Sequence, residues 1–164
     1  SFISVFTPWK KERGIYYKLI DEYSLFYLTW VAPRSLNRIF QSIDDQYWAT
    51  LSSQPAWKAW SGYSFESICF KHINQIKKAL VIPDGAEALS WRYKSTQGDQ
   101  NAGAQIDLIF DRSDGIVNLC EIKYCSSLFS IDKQYAAQLR YREELYCQVT
   151  KTNKQLPIRP SRPE

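Results

Sequence analysis

QIDLIFDRSDGIVNLCEIKY, residues 105–124, is the stretch that decides the fold of this chain. It contains two runs rich in β-branched and other apolar residues, and the polar sequence RSDG separates them. Runs of this composition on either side of a glycine-containing turn are typical of two antiparallel strands. We therefore predict a β-hairpin at the centre of the fold.

Two loops could join these strands, and each sets a different register. A two-residue turn would place Ile106 opposite Lys123. A three-residue loop instead places Ile106 opposite Ile122, which leaves one face of the hairpin almost wholly apolar. The sequence therefore favours the three-residue loop, with Gly115 in the left-handed conformation that glycine adopts easily.

The favoured register brings two acidic side chains together on the other face of the hairpin. Asp107 lies opposite Glu121, with Cβ atoms about 4.5–5.5 Å apart, and Gln105 lies opposite Lys123. Two carboxylates at roughly 4 Å repel each other by on the order of 4 kcal/mol at an effective dielectric constant near 20. We therefore expect the pair to bind a proton, to move apart or to bind a cation. Oxygen ligands without a nearby cysteine or histidine pair favour Mg²⁺ or Mn²⁺ over zinc.

Asp107, followed by Glu121-x-Lys123 on the next strand, resembles the second and third motifs of the PD-(D/E)xK nuclease superfamily. Longer segments resemble the nuclease-like C-terminal domain of prokaryotic AAA-type ATPases: WKAWSGYSFESIC (57–69), SWRY (90–93), GAQID (103–107) and LCEIKY (119–124). The likeness covers residues 53–149 well and residues 2–30 loosely. Gln105 and Ile106 stand where the superfamily name expects a proline before the aspartate, a position that varies widely.

The resemblance implies a metal-dependent nuclease. Asp107 and Glu121 would bind Mg²⁺ or Mn²⁺, the backbone carbonyl of Ile122 would be a further ligand, and Lys123 would orient the attacking water. The implied substrate is nucleic acid, with DNA favoured over RNA, and the implied partner is an upstream ATPase domain of the same parent chain. The alternative is a nuclease-fold module that binds nucleic acid or a partner domain and no longer cuts.

Glu66 is the fourth candidate for the catalytic and metal-binding residues. It lies on a helix predicted over residues 53–80, and apolar residues follow it at helical spacing, so its side chain leans inward. Burial of an acid is costly unless the acid is paired or binds a metal. The resemblance implies that Glu66 is the glutamate that the superfamily carries on its first helix. An ion pair with Lys58 or Lys94 is the alternative.

The order of elements predicts an α/β fold in which a mixed β-sheet is flanked by helices. This is the α-β-β-β-α-β order of the restriction-endonuclease-like core. We assign residues 51–164 to this nuclease-like domain. Residues 1–50 would form an N-terminal hairpin and helical extension, which the resemblance implies is the tail of a winged-helix or linker region.

Several element boundaries follow from local signals. We expect strands at 2–6 and 14–20, helices at 21–31 and 35–48, a helix at 132–149 that Ser130 caps, and a last strand at 154–158. The aromatic residues of the first 50 positions are expected to form a core, because buried aromatics are commoner than base-stacking platforms.

Length and composition indicate a soluble protein of one domain plus an extension. The 164 residues are 45% hydrophobic, which excludes a disordered chain, and no apolar run approaches the roughly 18 residues of a membrane span. The chain starts at Ser1 without a signal-peptide pattern, so we expect a cytoplasmic piece of a longer protein. The four cysteines lack CxxC spacing, and they are expected to be buried, reduced thiols of a cytoplasmic protein rather than disulfides or a zinc site.

The charge of the chain favours a polyanionic partner. The formal net charge is +4, and lysines such as Lys71 and Lys133 could neutralise phosphates beside the hairpin. Gln105 could orient Lys123 or contact substrate. On composition alone, a solvated lysine face explains the charge about as well, and the chain could also form a homo-oligomer.

Overall fold

The computed structural model of the chain describes residues 2–6, 16–33, 45–125 and 127–157. These residues form two compact units, one that ends at His72 and one that begins at Ile73. By its contacts, the helix at 55–71 belongs to the first unit. The predicted division between residues 50 and 51 stays a prediction. Within the described ranges, no helix has the length and apolar character needed to cross a membrane.

The first unit combines a hairpin with helices. Its elements are β1 (Ile3–Phe6), β2 (Tyr16–Leu19), α1 (Glu22–Phe26), a π-helical turn (Tyr27–Val31), α2 (Asp45–Ser52) and α3 (Pro55–Lys71). Strands β1 and β2 pair antiparallel, which confirms the predicted hairpin. The carboxylate of Asp21 caps α1 by accepting a hydrogen bond from the Ser24 N–H at 2.7 Å. The helical stretch ends before Pro33, as predicted.

Aromatic rings form the interior of the first unit. The rings of α1, the π-helical turn, α2 and α3 lie with centroids 5.1–6.5 Å apart, and they belong to Phe26, Trp30, Trp48, Trp57 and Trp60. The contacts agree with the expectation that these aromatics pack as a core. Only residues 45–48 of the helix predicted at 35–48 fall within the described part, and they are helical.

The helix predicted over residues 53–80 is broken, which corrects that prediction. Pro55 occupies the first turn of α3 as expected, but His72 leaves the helical region with φ −105° and ψ 25°. Helix α4 (Ile73–Ala79) then begins the second unit. Helical periodicity is a local signal, so it does not reveal that the two halves of the stretch pack in different units.

The second unit is built on a three-stranded antiparallel sheet in the order β3-β4-β5. Its strands are β3 (Glu87–Tyr93), β4 (Ala104–Asp111) and β5 (Val117–Cys120). Helices and a sheet in one chain confirm the α/β class. Parallel pairing in the described residues is limited to one bridge between Ile116 and Gln155, so the predicted last strand is reduced to this bridge. Residue 158 lies outside the described residues.

The register of β4 and β5 is the predicted one. Leu108 pairs with Cys120 and Asp111 with Val117. Gly115 has a φ of 83°, so the three-residue loop with a left-handed glycine is confirmed. The predicted second strand is too long, because ladder pairing ends at Cys120 instead of continuing to residue 124.

Helix α5 (Lys133–Thr150) packs beside the sheet. Asp132, and not the predicted Ser130, caps it: the Asp132 carboxylate accepts a hydrogen bond from the Tyr135 N–H at 2.6 Å. The core combines residues of the sheet and of α5: Trp91, Ile106, Ile109, Val117, Leu145 and Tyr146. Because neighbouring strand residues face opposite sides, the full burial of Ile109 and Phe110 shows that β4 is covered on both faces.

Candidate functional site

The candidate site lies at the open end of the β4–β5 hairpin. The last ladder pair is Leu108 and Cys120, so the same register places Asp107 and Glu121 next. Beyond the last ladder pair, the connection between the strands is made by a side chain: Asp107 Oδ2 accepts a hydrogen bond from the Ile122 N–H at 3.1 Å. This bond ties the carboxylate to the residues that follow β5.

Asp107 carries a charge that its surroundings compensate poorly. Burial raises the pKa of its carboxyl group, and the nearby charge of Glu121 raises the pKa further. Hydrogen bonds from the Ile122 N–H and from Gln105 Nε2 at 3.2 Å oppose this shift without cancelling it. Among the described residues, no ion pair involves Asp107, although the charge of the nearby Lys123 also lowers its pKa.

Glu121 is held by three donors. The Tyr135 hydroxyl donates to Oε1 at 2.8 Å, Arg142 Nη1 donates to Oε2 at 2.6 Å, and Lys123 Nζ lies 3.2 Å from Oε1. Burial by itself would raise the pKa of Glu121, but the bonds from Tyr135 and Arg142 outweigh it and lower the pKa. Glu121 is therefore ionised and fixed in orientation at neutral pH.

Lys123 is a stable cation beside both carboxylates. Burial would lower the pKa of its ammonium group, but its contacts with Glu121 and Tyr135 raise the pKa overall. Its Nζ also lies 5.3 Å from the centre of the Tyr135 ring, within cation–π range. Lys123 therefore suits electrostatic stabilisation and positioning better than proton abstraction.

The oxygen atoms at this end of the hairpin are of the kind that hard divalent cations bind, but both oxygens of Glu121 already contact donors. Two carboxylates and a peptide carbonyl are all oxygen donors, and Mg²⁺ is commonly held by one or two carboxylates together with water and substrate phosphate. Burial is the main cause of the raised pKa of Asp107, and a cation beside Asp107 would offset the further contribution from the charge of Glu121. Within the described ranges, no group of three or more His, Cys, Asp and Glu side chains is arranged to bind a metal.

The structure brings the predicted site residues of the hairpin together, and the other candidates lie on other elements. Asp107, Glu121 and Lys123 meet, and Gln105 contacts Asp107 where the sequence suggested Lys123. Of the remaining candidates, Glu66 and Lys71 lie on α3 in the first unit, and Lys133 is exposed at the start of α5.

The two candidates on α3 have neighbours within their own unit. Lys71 Nζ forms an ion pair with Glu22 at 2.7 Å. Glu66 is partly buried and raises the pKa of the Cys69 thiol, although burial of the thiol is the larger cause. The roles of Glu66 and Lys71 at the site stay predictions. The four cysteines are free thiols, as expected, but the prediction that they are buried is wrong, because Cys125 is exposed and the other three are only partly buried.

Sequence reasoning missed the two residues of α5 that hold Glu121. Tyr135 and Arg142 lie on the helix predicted at 132–149, on a stripe that also contains the apolar residues Leu139 and Val149, but they were not among the predicted site residues. Their spacing of seven puts them on one helix face. An arginine among apolar residues is costly to bury without an acidic partner. The position of Arg142 on this stripe could therefore have indicated that it pairs with an acid such as Glu121.

Comparison of the chain with known protein families, with curated proteins and with solved structures finds no match.

Proposed function

We propose that the chain is a metal-dependent nuclease that hydrolyses phosphodiester bonds of nucleic acid at the open end of the β4–β5 hairpin. One observation carries this proposal. Asp107, next to the ionised Glu121, has a raised pKa and no ion pair among the described residues, while Lys123 is a cation within reach of both. A divalent cation is the partner that such a carboxylate pair favours.

Each residue has a distinct role in the proposed reaction. Asp107 and Glu121 would hold the cation with the Ile122 carbonyl, as the resemblance to the PD-(D/E)xK superfamily implies. A bound Mg²⁺ or Mn²⁺ polarises the scissile phosphate and lowers the pKa of bound water. Lys123 places a fixed positive charge where negative charge develops on the phosphate.

The finer assignment of fold and partners belongs to this proposal as well. The order α4, β3, β4, β5, α5 supports a restriction-endonuclease-like core, since it repeats the α-β-β-β-α part of that arrangement. DNA is favoured over RNA as substrate. An upstream ATPase domain, a cytoplasmic location and assembly into a homo-oligomer are further elements of the proposal.

A second function has one observation in its favour. Glu121 already contacts two cations, Arg142 and Lys123, which reduces its need for a metal ion. The same contacts of Glu121 would suit a module of this fold that binds nucleic acid or a partner domain without cutting, because such a module needs no metal ion at Glu121. Metal-dependent hydrolysis separates the two functions.

The test compares the chain with Asp107→Asn and Lys123→Ala on linear, circular and single-stranded substrates in Mg²⁺ or Mn²⁺. Loss of the charge at either position is expected to slow hydrolysis on the order of 10²- to 10³-fold. Asp111→Asn is the matched control, because Asp111 is an aspartate on the same strand that pairs with Lys154 at the other end.

Three results would contradict the proposal. Equal cleavage by all four proteins would point to a contaminating nuclease. Equal losses in Asp107→Asn and Asp111→Asn would show that folding, and not the site, had been damaged. Binding without hydrolysis in either metal would favour the second function.

A further inference from the structure

Four apolar side chains between the candidate site and α5 are exposed. We call this set the apolar rim, and its exposed fractions are 57% for Tyr124, 100% for Leu128, 46% for Phe129 and 53% for Ile131. The apolar residues of β4, in contrast, are almost fully buried. The four residues lie close together in the sequence, within residues 124–131. Exposed apolar side chains that form a patch often mark a binding surface, because their burial by a partner is favourable.

The apolar rim is connected to the candidate site through Tyr135. The ring of Phe129 meets the Tyr135 ring edge-to-face, with centroids 5.3 Å apart and an interplanar angle of 82°. The hydroxyl of the same tyrosine donates to Glu121, and its ring contacts Lys123 Nζ. One aromatic ring therefore separates Phe129 from the carboxylate and the cation of the site.

Charge beside the rim points to a polyanion with apolar faces. Lys123 lies just before Tyr124 in the sequence, and Lys133 is exposed at the start of α5, shortly after Ile131. Aromatic side chains next to cations are the usual combination in proteins that bind single-stranded nucleic acid, where bases stack on rings and phosphates contact the cations. In a duplex the base faces are already stacked, so they are not available to such a surface.

We propose that the apolar rim binds unpaired bases of a single-stranded nucleic acid whose backbone passes Lys123. This inference depends on the proposed function, since it names the substrate class of the same site. Phe129 is the main stacking residue, because its ring is held against Tyr135. Leu128 and Ile131 provide apolar contact for neighbouring bases.

The test measures binding in EDTA, so that it does not require hydrolysis. The full chain is titrated with a labelled single-stranded oligonucleotide, with an abasic strand of the same length, and with a duplex. Stacking of one base contributes about 1–3 kcal/mol, so the abasic strand is expected to bind roughly 5- to 150-fold more weakly. The duplex should also bind more weakly than the single strand.

Variants at Phe129 distinguish stacking from charge. Phe129→Ala should weaken binding of the normal strand by a similar factor and leave binding of the abasic strand unchanged. Phe129→Tyr keeps the aromatic ring and should retain the affinity. Leu80→Ala is the matched control, because Leu80 is another exposed apolar residue of the second unit, away from the rim in sequence. It should bind like the unaltered chain.

Two outcomes would overturn the inference. Equal affinity for normal and abasic strands would show that charge alone binds the backbone. Self-association that Phe129→Ala abolishes, without base-dependent binding, would show that the rim is a contact between copies of the chain. Hydrolysis without base-dependent binding removes this inference and leaves the proposed function intact. Base-dependent binding without hydrolysis would support this inference and count against the proposed nuclease activity.

Discussion

The two ends of the β4–β5 hairpin carry similar acidic residues in different electrostatic surroundings. At the turn end, Asp111 pairs with Lys154 and Asp114 pairs with Arg112, so each carboxylate has its own cation. At the open end, Glu121 contacts two cations. Asp107 has no ion pair among the described residues.

This difference separates acids that stabilise the fold from an acid available for chemistry. A carboxylate in an ion pair has little need of another ligand, whereas a partly buried carboxylate without an ion pair retains affinity for a proton or a metal. The open end is therefore the part of the hairpin where binding is expected. The following changes test the contrast, from the largest expected effect on stability to the smallest.

Glu121→Ala should lower the free energy of unfolding by about 2 kcal/mol at neutral pH, because it removes the acceptor of Tyr135 and Arg142. The pKa of Glu121 is lowered in the fold. Its contribution is therefore present above the pKa of the unfolded chain and is lost as the pH falls through the folded pKa. Urea denaturation over a pH series measures this gap. If the difference in free energy of unfolding between the two proteins does not shrink in acid, the ionised carboxylate of Glu121 is not the cause of the stabilisation.

Asp107→Asn should raise the free energy of unfolding by about 1 kcal/mol at neutral pH, as functional residues often reduce stability. The pKa of Asp107 is raised in the fold, so its ionised form is penalised at neutral pH. The gain should fall as the pH drops through the folded pKa, and it should vanish below the unfolded one.

Thermal denaturation with and without Mg²⁺ completes this test. Mg²⁺ should stabilise the unaltered chain and have a smaller effect on Asp107→Asn, because the variant lacks one of the two carboxylates. Asp111→Asn is the control, and it should lose stability because it removes the ion pair of Asp111 with Lys154. A loss of stability in Asp107→Asn at neutral pH would mean that Asp107 is a structural residue.

Asp114→Ala should have the smallest effect. Its ion pair with Arg112 is solvent-exposed, and exposed pairs contribute little because water and salt screen them. The urea midpoint at high salt should match that of the unaltered chain within error. A clear loss of stability there would show that the turn end depends on this pair, which would weaken the contrast between the two ends.

Much of the hairpin could be predicted because its determinants are local. The alternation of Ile106, Asp107 and Leu108 and the position of Gly115 were enough to choose the register, since a shift by one residue would expose the apolar face. The cap of α5 was predicted two residues too early, because Ser130 and Asp132 are both good cap residues and only the backbone geometry selects one.

The sequence by itself determined which residues face each other across the hairpin, and thus that Asp107 and Glu121 are neighbours. Only the tertiary structure decided that the pKa of Glu121 is lowered while that of Asp107 is raised. Arg142 is 21 residues beyond Glu121 in the sequence and reaches it because α5 packs beside the sheet. The break at His72 and the end of the ladder at Cys120 were decided in the same way. Pairing and turns depend on neighbours along the chain, whereas the partner of a charge depends on which distant segments come into contact.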